Sequence, residues 1–539
     1  MSELLSSVAL PGLLIVVPLI GSTLPLGVGL LREEIGWWVA AVVLAIEAVL
    51  ASWLAYAIYV GGERVVHVLG GDTFGRHEVT TGGETTNFIV GIELVGDALS
   101  GLVVLLVAFV AFAVLAYSRR AGPRGNAFYT VYLIMTGGLM GVALTGDLFN
   151  LFVFLEIVGL STYALVSSGR GPESAVAALK YLAVGTTGAS MYLIGVGYIF
   201  LETGTLNMVD VSKSLAGEVP WFGGAIYSEP LVVAAFGFIA VGLATKSAIF
   251  PLHTWQPDAY AEAPDAVTVY ISALASTSAA YAFARITWNV FTPDFFAVNP
   301  AVLEAIMLLA GVSVVVGSML AAMQERVKRM FAYSSVAQFG LLFLGITVAV
   351  HPAAGETATR LALYGTVIHL IGHAVIKGGL FAAVGAIAAG TGARKIEDYA
   401  GLAGRHPFVA GAMAVLGLSI VGVPPSVGFV GKWYIGVGAV GADMWPVVAV
   451  IFASTVLSLL YTARILEQLY FTEPVEAAVD AAAAEVATDG GGSMADGMVA
   501  VCLTAAVAAI GLGLVGAEMA ELVDPVVDAV NNAAPEVEA

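Results

Sequence analysis

The chain of 539 residues is 59% hydrophobic and only 11% charged, with a mean hydropathy of +0.93. Soluble domains carry about 25% charged residues, so lipid rather than water must be the main solvent of this one. The formal charge is −19, no nucleic-acid partner is expected, and the single Cys502 leaves neither an intrachain disulfide nor a cysteine cluster for a metal or cofactor.

A spanning helix needs about 20 apolar residues. By that measure roughly fourteen candidates follow one another, near 4–30, 37–60, 94–117, 128–144, 147–168, 175–201, 231–250, 264–290, 301–323, 330–350, 361–389, 408–440, 446–470 and 497–517. The first, in "MSELLSSVALPGLLIVVPLIG", lacks a basic flank and a small-residue cleavage site, so it reads as a span rather than a removed signal. Residues 61–90, 203–228 and 472–496 are polar or glycine-rich enough to lie outside the membrane. The expected class is an all-α polytopic membrane protein.

Loop charge sets the orientation. With "YSRRAGPRGNAF" placed in the cytoplasm and the sides alternating, thirteen lysines and arginines fall inside and five outside: Arg64, Arg76, Lys213, Arg285 and Arg360. This positive-inside bias puts both termini outside the cell membrane. The acidic excess crowds "EPVEAAVDAAAAEVATDG" and the tail "NNAAPEVEA", and lysine is scarce, with seven against fourteen arginines. Both a halophilic source and a merely flexible acidic loop and tail account for that surface.

Three of the seven lysines, Lys246, Lys377 and Lys432, sit inside apolar segments, where lysine is most costly. Unlike arginine, a lysine can gain and lose a proton when buried, which suits a transport site. Lys246, in "AVGLATKSAIFPLHTWQPDAYAEAP", is followed by Pro251, Pro257 and Pro264. A broken helix at membrane depth is tolerated where it lines a cavity or is covered by protein. Snorkelling to an interface is the alternative for this lysine, with His253 a nearby relay candidate. Lys432, in "SIVGVPPSVGFVGKWYIG", lies beside a second break at Pro424 and Pro425. Two such interrupted segments about half a bundle apart point to structural repeats with a site in each.

In "HLIGHAVIKGGLF", His369, His373 and Lys377 recur at i, i+4 and i+8 and share one helix face, as a proton wire would. A structural histidine pair is the alternative; a zinc site lacks a following Glu and a third ligand. Glu156, in "TGDLFNLFVFLEIVGLSTYALV", is a carboxylate at mid-span and needs a compensating partner, for which Lys246 is the candidate. Glu47 is a second intramembrane carboxylate without a motif, fitting a subunit contact or a lipid edge, and Asp97 in "ELVGDALSG" reads as a helix cap.

These segments resemble the antiporter-like membrane subunits shared by respiratory complex I and Mrp-type multisubunit Na⁺/H⁺ antiporters. "GDLFNLFVFLEI" is similar to the family's fifth helix, and "ATKSAIFPLHTWQPDAYAEAP" to its K…PFHxWLPDAHxxAP segment. "ERVKRMFAYSSVAQFG" resembles its KRLLAYSSISQ, "HLIGHAVIKGGLF" its H-x-x-N-H-A-x-x-K, and "GVPPSVGFVGK" its GxPPxxGFxGK. The resemblance covers roughly residues 90–470. It implies fourteen helices with two inverted five-helix repeats, at 128–290 and 301–470, and broken helices at about 231–255 and 408–440. Helices 1–3 (1–117), an acidic loop (472–496) and helix 14 with an acidic tail (497–539) flank the repeats. It also implies a proton path through Glu156, Lys246, His369, His373, Lys377 and Lys432.

Departures are specific. Where the family has a lysine in LLTKxGVYxxxR, "ASTSAAYAFARI" has Thr277, so the link between Lys246 and the histidines would run through water near Thr277 and Ser278. Gly372 replaces the family Asn, and Tyr260 the second His of PDAH. "DLFNLFVFLE" looks most like the D-type member of Mrp antiporters, ahead of a complex I or hydrogenase-linked subunit. The resemblance implies membrane subunits as partners, protons and sodium as cargo, and any oxidoreductase activity in those partners. A non-conducting structural subunit is the competing class.

Overall fold

A computed structural model of the chain describes residues 7–29, 35–69, 76–81, 84–89, 91–123, 125–169, 171–219, 223–473 and 494–531. Among the described residues, twelve helices long and apolar enough to span a membrane and two interrupted helix pairs follow in order, beginning with α1 Leu10–Gly29, α2 Gly36–Tyr59, α3 Ala98–Ala121, α4 Asn126–Leu144, α5 Leu148–Ser167 and α6 Pro172–Thr203. After them come α7a Pro230–Lys246 with α7b Gln256–Glu262, α8 Asp265–Val298, α9 Pro300–Ala322, α10 Val327–Ala349 and α11 Glu356–Thr391. The series closes with α12a Pro407–Val421 and α12b Val427–Gly441, α13 Trp445–Phe471 and α14 Asp496–Leu514. The two interrupted elements are the two whose sequences carry prolines beside a lysine, because a proline removes a backbone donor and crowds the preceding turn.

Local signals end the helices where expected. Asp97 caps α3, accepting the amide of Ser100 at 3.0 Å while the Ser100 hydroxyl accepts the Asp97 amide at 2.7 Å. The apparently continuous stretch 128–168 is cut at Thr145–Asp147, where Asp147 accepts the amide of Asn150 at 2.7 Å and starts α5. Gly392 at φ +74° closes α11 in a left-handed turn.

The helices that carry Thr277, Gln338 and the His369–His373–Lys377 series are inner ones. The apolar window of α8 is wholly buried and those of α10 and α11 nearly so, whereas α9, α13 and α14 expose most of theirs, as a lipid-facing rim does. α8 is also irregular, with π-helical turns at Ile271–Ala275 and Thr287–Phe291. The first packs against both α5 and α11, and so lies between the two halves of the bundle.

Two elements depart from the sequence expectation. Between α2 and α3 the chain forms antiparallel ribbons, β1 Val65–Leu69 with β4 Ile92–Gly96, and β2 Arg76–Thr81 with β3 Glu84–Ile89. Within the expected acidic tail, α15 runs Gly516–Asn531 and buries Met519, Val523, Val526, Val527 and Val530. That helical spacing was masked by the carboxylates between; one of them, Asp524, pairs with Arg360 at 3.3 Å and accepts a hydrogen bond from Tyr364. Residues 474–493 and those after 531 lie outside the described residues, as do Arg32, Arg124 and Arg170.

Candidate functional site

Glu156 stands nine residues into α5, about 13 Å from its start and so near the middle of a hydrocarbon core about 30 Å thick. Lys246 is the last residue of α7a, immediately before the break at Ser247–Trp255. Its Nζ lies 2.7 Å from Glu156 Oε1 and 3.4 Å from the Leu155 carbonyl oxygen. Both side chains are mostly buried, at 10% and 20% exposure. Gly159, one turn along α5, lies beside the pair: a Cβ there would sit 3.5 Å from the Lys246 ammonium, an ordinary contact, and 3.1 Å from the Tyr163 hydroxyl. Tyr163, one turn further, has a buried hydroxyl with no partner among the described residues, and its ring meets Tyr181, which stacks on Trp255 at 3.8 Å. Trp255 donates to the Thr245 carbonyl at 2.9 Å, folding the loop after the break back against the end of α7a.

The second half is built differently. Lys432 lies one turn into α12b, beyond its break, and donates to the Ile420 and Val421 carbonyls at 3.0 and 3.1 Å. It thus binds the open carboxyl end of α12a, where the backbone carbonyls lack intrahelical partners. Its neighbour Gly431 permits direct contact with α11: a Cβ there would lie 2.7 Å from His369 Cβ. His369 Nε2 is 3.1 Å from Gln338 Oε1 of α10. His373, also buried, has neither ring nitrogen partnered among the described residues and packs edge-on to Phe339. Lys377 donates to the Phe331 carbonyl at 2.8 Å and to the Ser334 hydroxyl. The three residues at i, i+4 and i+8 therefore line one buried face, directed at α10 and, at the His369 end, at α12b.

The remaining candidates fare unevenly. Thr277 is buried with its hydroxyl unpartnered among the described residues, whereas Ser278 donates to the carbonyl of Ala275 in its own helix at 2.8 Å. His253 sits in the α7 break between the rings of Phe250 and Tyr333, with Nδ1 unpartnered among the described residues. Glu47 departs from the expected lipid-edge or subunit-contact position: it is wholly buried on α2, which packs against α1 and α3.

Two groupings escaped the sequence reading. Gln256 Nε2 donates to Tyr260 at 3.1 Å and to Ser276 at 3.2 Å, joining α7b to α8 beside the first π-helical turn. At the end of the bundle where α7b meets α8, Asp258 binds Lys180 at 2.6 Å and Arg329 at 2.8 Å, Glu262 binds Arg326 at 2.7 Å, and Asp265 binds Lys328 at 2.7 Å. The acidic and basic motifs "PDAYAEAPD" and "ERVKRM" are thus two sides of one clamp. Their partners lie more than sixty residues apart, which no local spacing reveals.

The model for the family described as NADH:quinone oxidoreductase/Mrp antiporter, transmembrane region, matches residues 145–458, which hold every candidate named above except Glu47. The chain belongs to this family. NADH-quinone oxidoreductase subunit N of Desulforudis audaxviator is 41% identical over 385 residues, 70% of this chain and 73% of that protein. The D component of the Na⁺/H⁺ antiporter of Bacillus subtilis is 29% identical over 389 residues, 72% of this chain and 75% of that one. Among solved structures, a chain of the Mrp complex from Dietzia sp. superposes with a TM-score of 0.81 at 26% identity, covering 98% of both chains. A chain of an archaeal membrane-bound sulfane sulfur reductase gives 0.81 at 28%, covering 97% and 98%. A respiratory complex I chain from Thermus thermophilus shares the fold, at 0.67. The chain is accordingly a membrane antiporter-like subunit of a multisubunit assembly with integral membrane partners.

Proposed function

We propose that this chain is the proton-conducting membrane subunit of a multisubunit cation/proton antiporter of the Mrp type. Protons move along a buried axis of Glu156, Lys246, His369, His373, Lys377 and Lys432. One observation carries the reading: an ion pair at mid-membrane, Glu156–Lys246, formed at the end of a broken helix, which is where a titratable group can open to water. The five-helix stretches 128–290 and 301–470 supply one half-path each, with His253 and Thr277 as relays. The basic ends face the cytoplasm and the acidic surface reflects a saline habitat. Any oxidoreductase step belongs to partner subunits.

A second reading, a proton-pumping subunit of a redox-driven complex, is favoured by the 41% identity to a subunit N. Purifying the native complex and identifying its partners by mass spectrometry separates the two: further antiporter subunits support the first, iron–sulfur or flavin subunits the second. In vesicles holding that complex, Glu156→Ala is expected to abolish ion-driven proton movement. Retained movement in the assembled variant would leave the chain a structural subunit.

A further inference from the structure

α8 carries Thr277, Tyr281 and Arg285 at four-residue intervals, on one helix face, in a stretch otherwise made of alanine, phenylalanine and isoleucine after Ser278. The segment Ser276–Ile286 packs against α7a, the helix that ends in Lys246, and against α11, the helix of the histidines. It ends in a cavity of about 550 Å³ at the ribbon end of the bundle, lined by Arg285, Asn289, Asp97, Glu93 and Lys213. Each step is polar and buried. Thr277, 2% exposed, has a hydroxyl without a partner among the described residues. Tyr281, 1% exposed, donates to the Ala143 carbonyl at 2.7 Å. Arg285 Nη1 lies 2.5 Å from Asp97 Oδ2, both in the cavity lining, and Glu93 in the same lining accepts from Asn207 at 2.8 Å. Buried polar groups cost free energy at membrane depth, and a hydroxyl left unpaired is satisfied most simply by water. A mere anchor for the ribbon would need Arg285 and Asp97 but neither Thr277 nor Tyr281.

Building on the proton-conducting reading, we infer that this face is a branch from the midplane to the aqueous phase at the ribbon end, with Tyr281 as its relay and the Asp97–Arg285 pair as its gate. A proton arriving on water held by Thr277 passes to the Tyr281 hydroxyl oxygen as that hydroxyl releases its own proton onward. The Asp97 carboxylate takes the released proton and separates from Arg285. It then gives the proton to cavity water and pairs again, so one proton enters and one leaves with no net change in the protein. Thr277, which stands where the family pattern has a lysine, thereby becomes a junction rather than a missing link.

The test uses the native complex in vesicles. Tyr281→Phe keeps the ring and removes only the hydroxyl; Asp97→Asn keeps the helix cap and loses the proton acceptor. Each is expected to slow ion-driven proton movement about a hundredfold or more, the range of a lost proton-transfer group. Asn289→Cys, in a Cys502→Ser background, is expected to react with a membrane-impermeant maleimide from one side of the membrane only. Wild-type rates in both relay variants, or no labelling from either side, would overturn the branch. Lys246→Ala in parallel keeps the outcomes apart: if it alone is inactive, the midplane path stands without the branch, and if it is fully active the proton-conducting reading falls with it.

Discussion

The two halves of the bundle hold their lysines by different means. Lys246 meets a full carboxylate at 2.7 Å. Among the described residues, Lys432 hydrogen-bonds to the two carbonyls that end α12a, a site equivalent to roughly half a negative charge. Nor does α10 supply an acid: from Val327 to Ala349 it has none, and it offers His369 an amide and Lys377 a carbonyl and a hydroxyl. The first half therefore holds a neutral pair, whereas the second collects four basic groups around uncharged acceptors. On the proposed path, a proton arriving at His369, Lys377 or Lys432 would meet no contacting carboxylate among the described residues, so the two halves would serve different steps of one cycle.

Removing one member of each arrangement should separate them most sharply. Glu156→Ala strands a buried ammonium, and breaking such a pair costs about 3–5 kcal/mol. Lys432→Gln strands no charge and should cost about 1 kcal/mol. Thermal unfolding of the purified complex should thus drop clearly for the first and little for the second, while proton movement is lost in both. Equal destabilisation would erase the contrast. The double variant Glu156→Gln with Lys246→Gln should recover stability but not transport.

A smaller effect is expected at His373, whose nitrogens make no hydrogen bond to the described residues. His373→Leu should slow proton movement about a hundredfold or more with no loss of assembly, and a destabilised complex with unchanged flux would instead mark a packing residue. Asp258→Asn frees Lys180 and Arg329 together, but all three side chains are 28–40% exposed. Its cost should be about 1 kcal/mol, seen in a melting curve at low salt and fading at high salt. Ser278→Ala should be silent within about 0.5 kcal/mol and in flux, because that hydroxyl is engaged by its own helix.

Much of this architecture is legible in the sequence. Fourteen apolar runs and two proline-marked breaks give the spans, because a bilayer admits few alternatives to a long helix. Glu156, Lys246 and Lys432 stand out for the same reason, as charges where charge is expensive. The ribbons from Val65 to Gly96 were hidden because their strands are short and set among glycines. α15 was hidden by its own carboxylates. The Asp258 clamp and the Gln256–Tyr260–Ser276 junction were hidden because they join residues on different helices, and Glu47 because burial of a lone carboxyl is a property of packing, not of spacing.

The most direct test is Na⁺- and H⁺-dependent ΔpH in vesicles carrying the whole native complex, with wild type compared with Lys246→Ala at matched assembly. Loss of ion-driven proton movement is the predicted result. Undiminished exchange would contradict the account, leaving Lys246 as a strut in a scaffold.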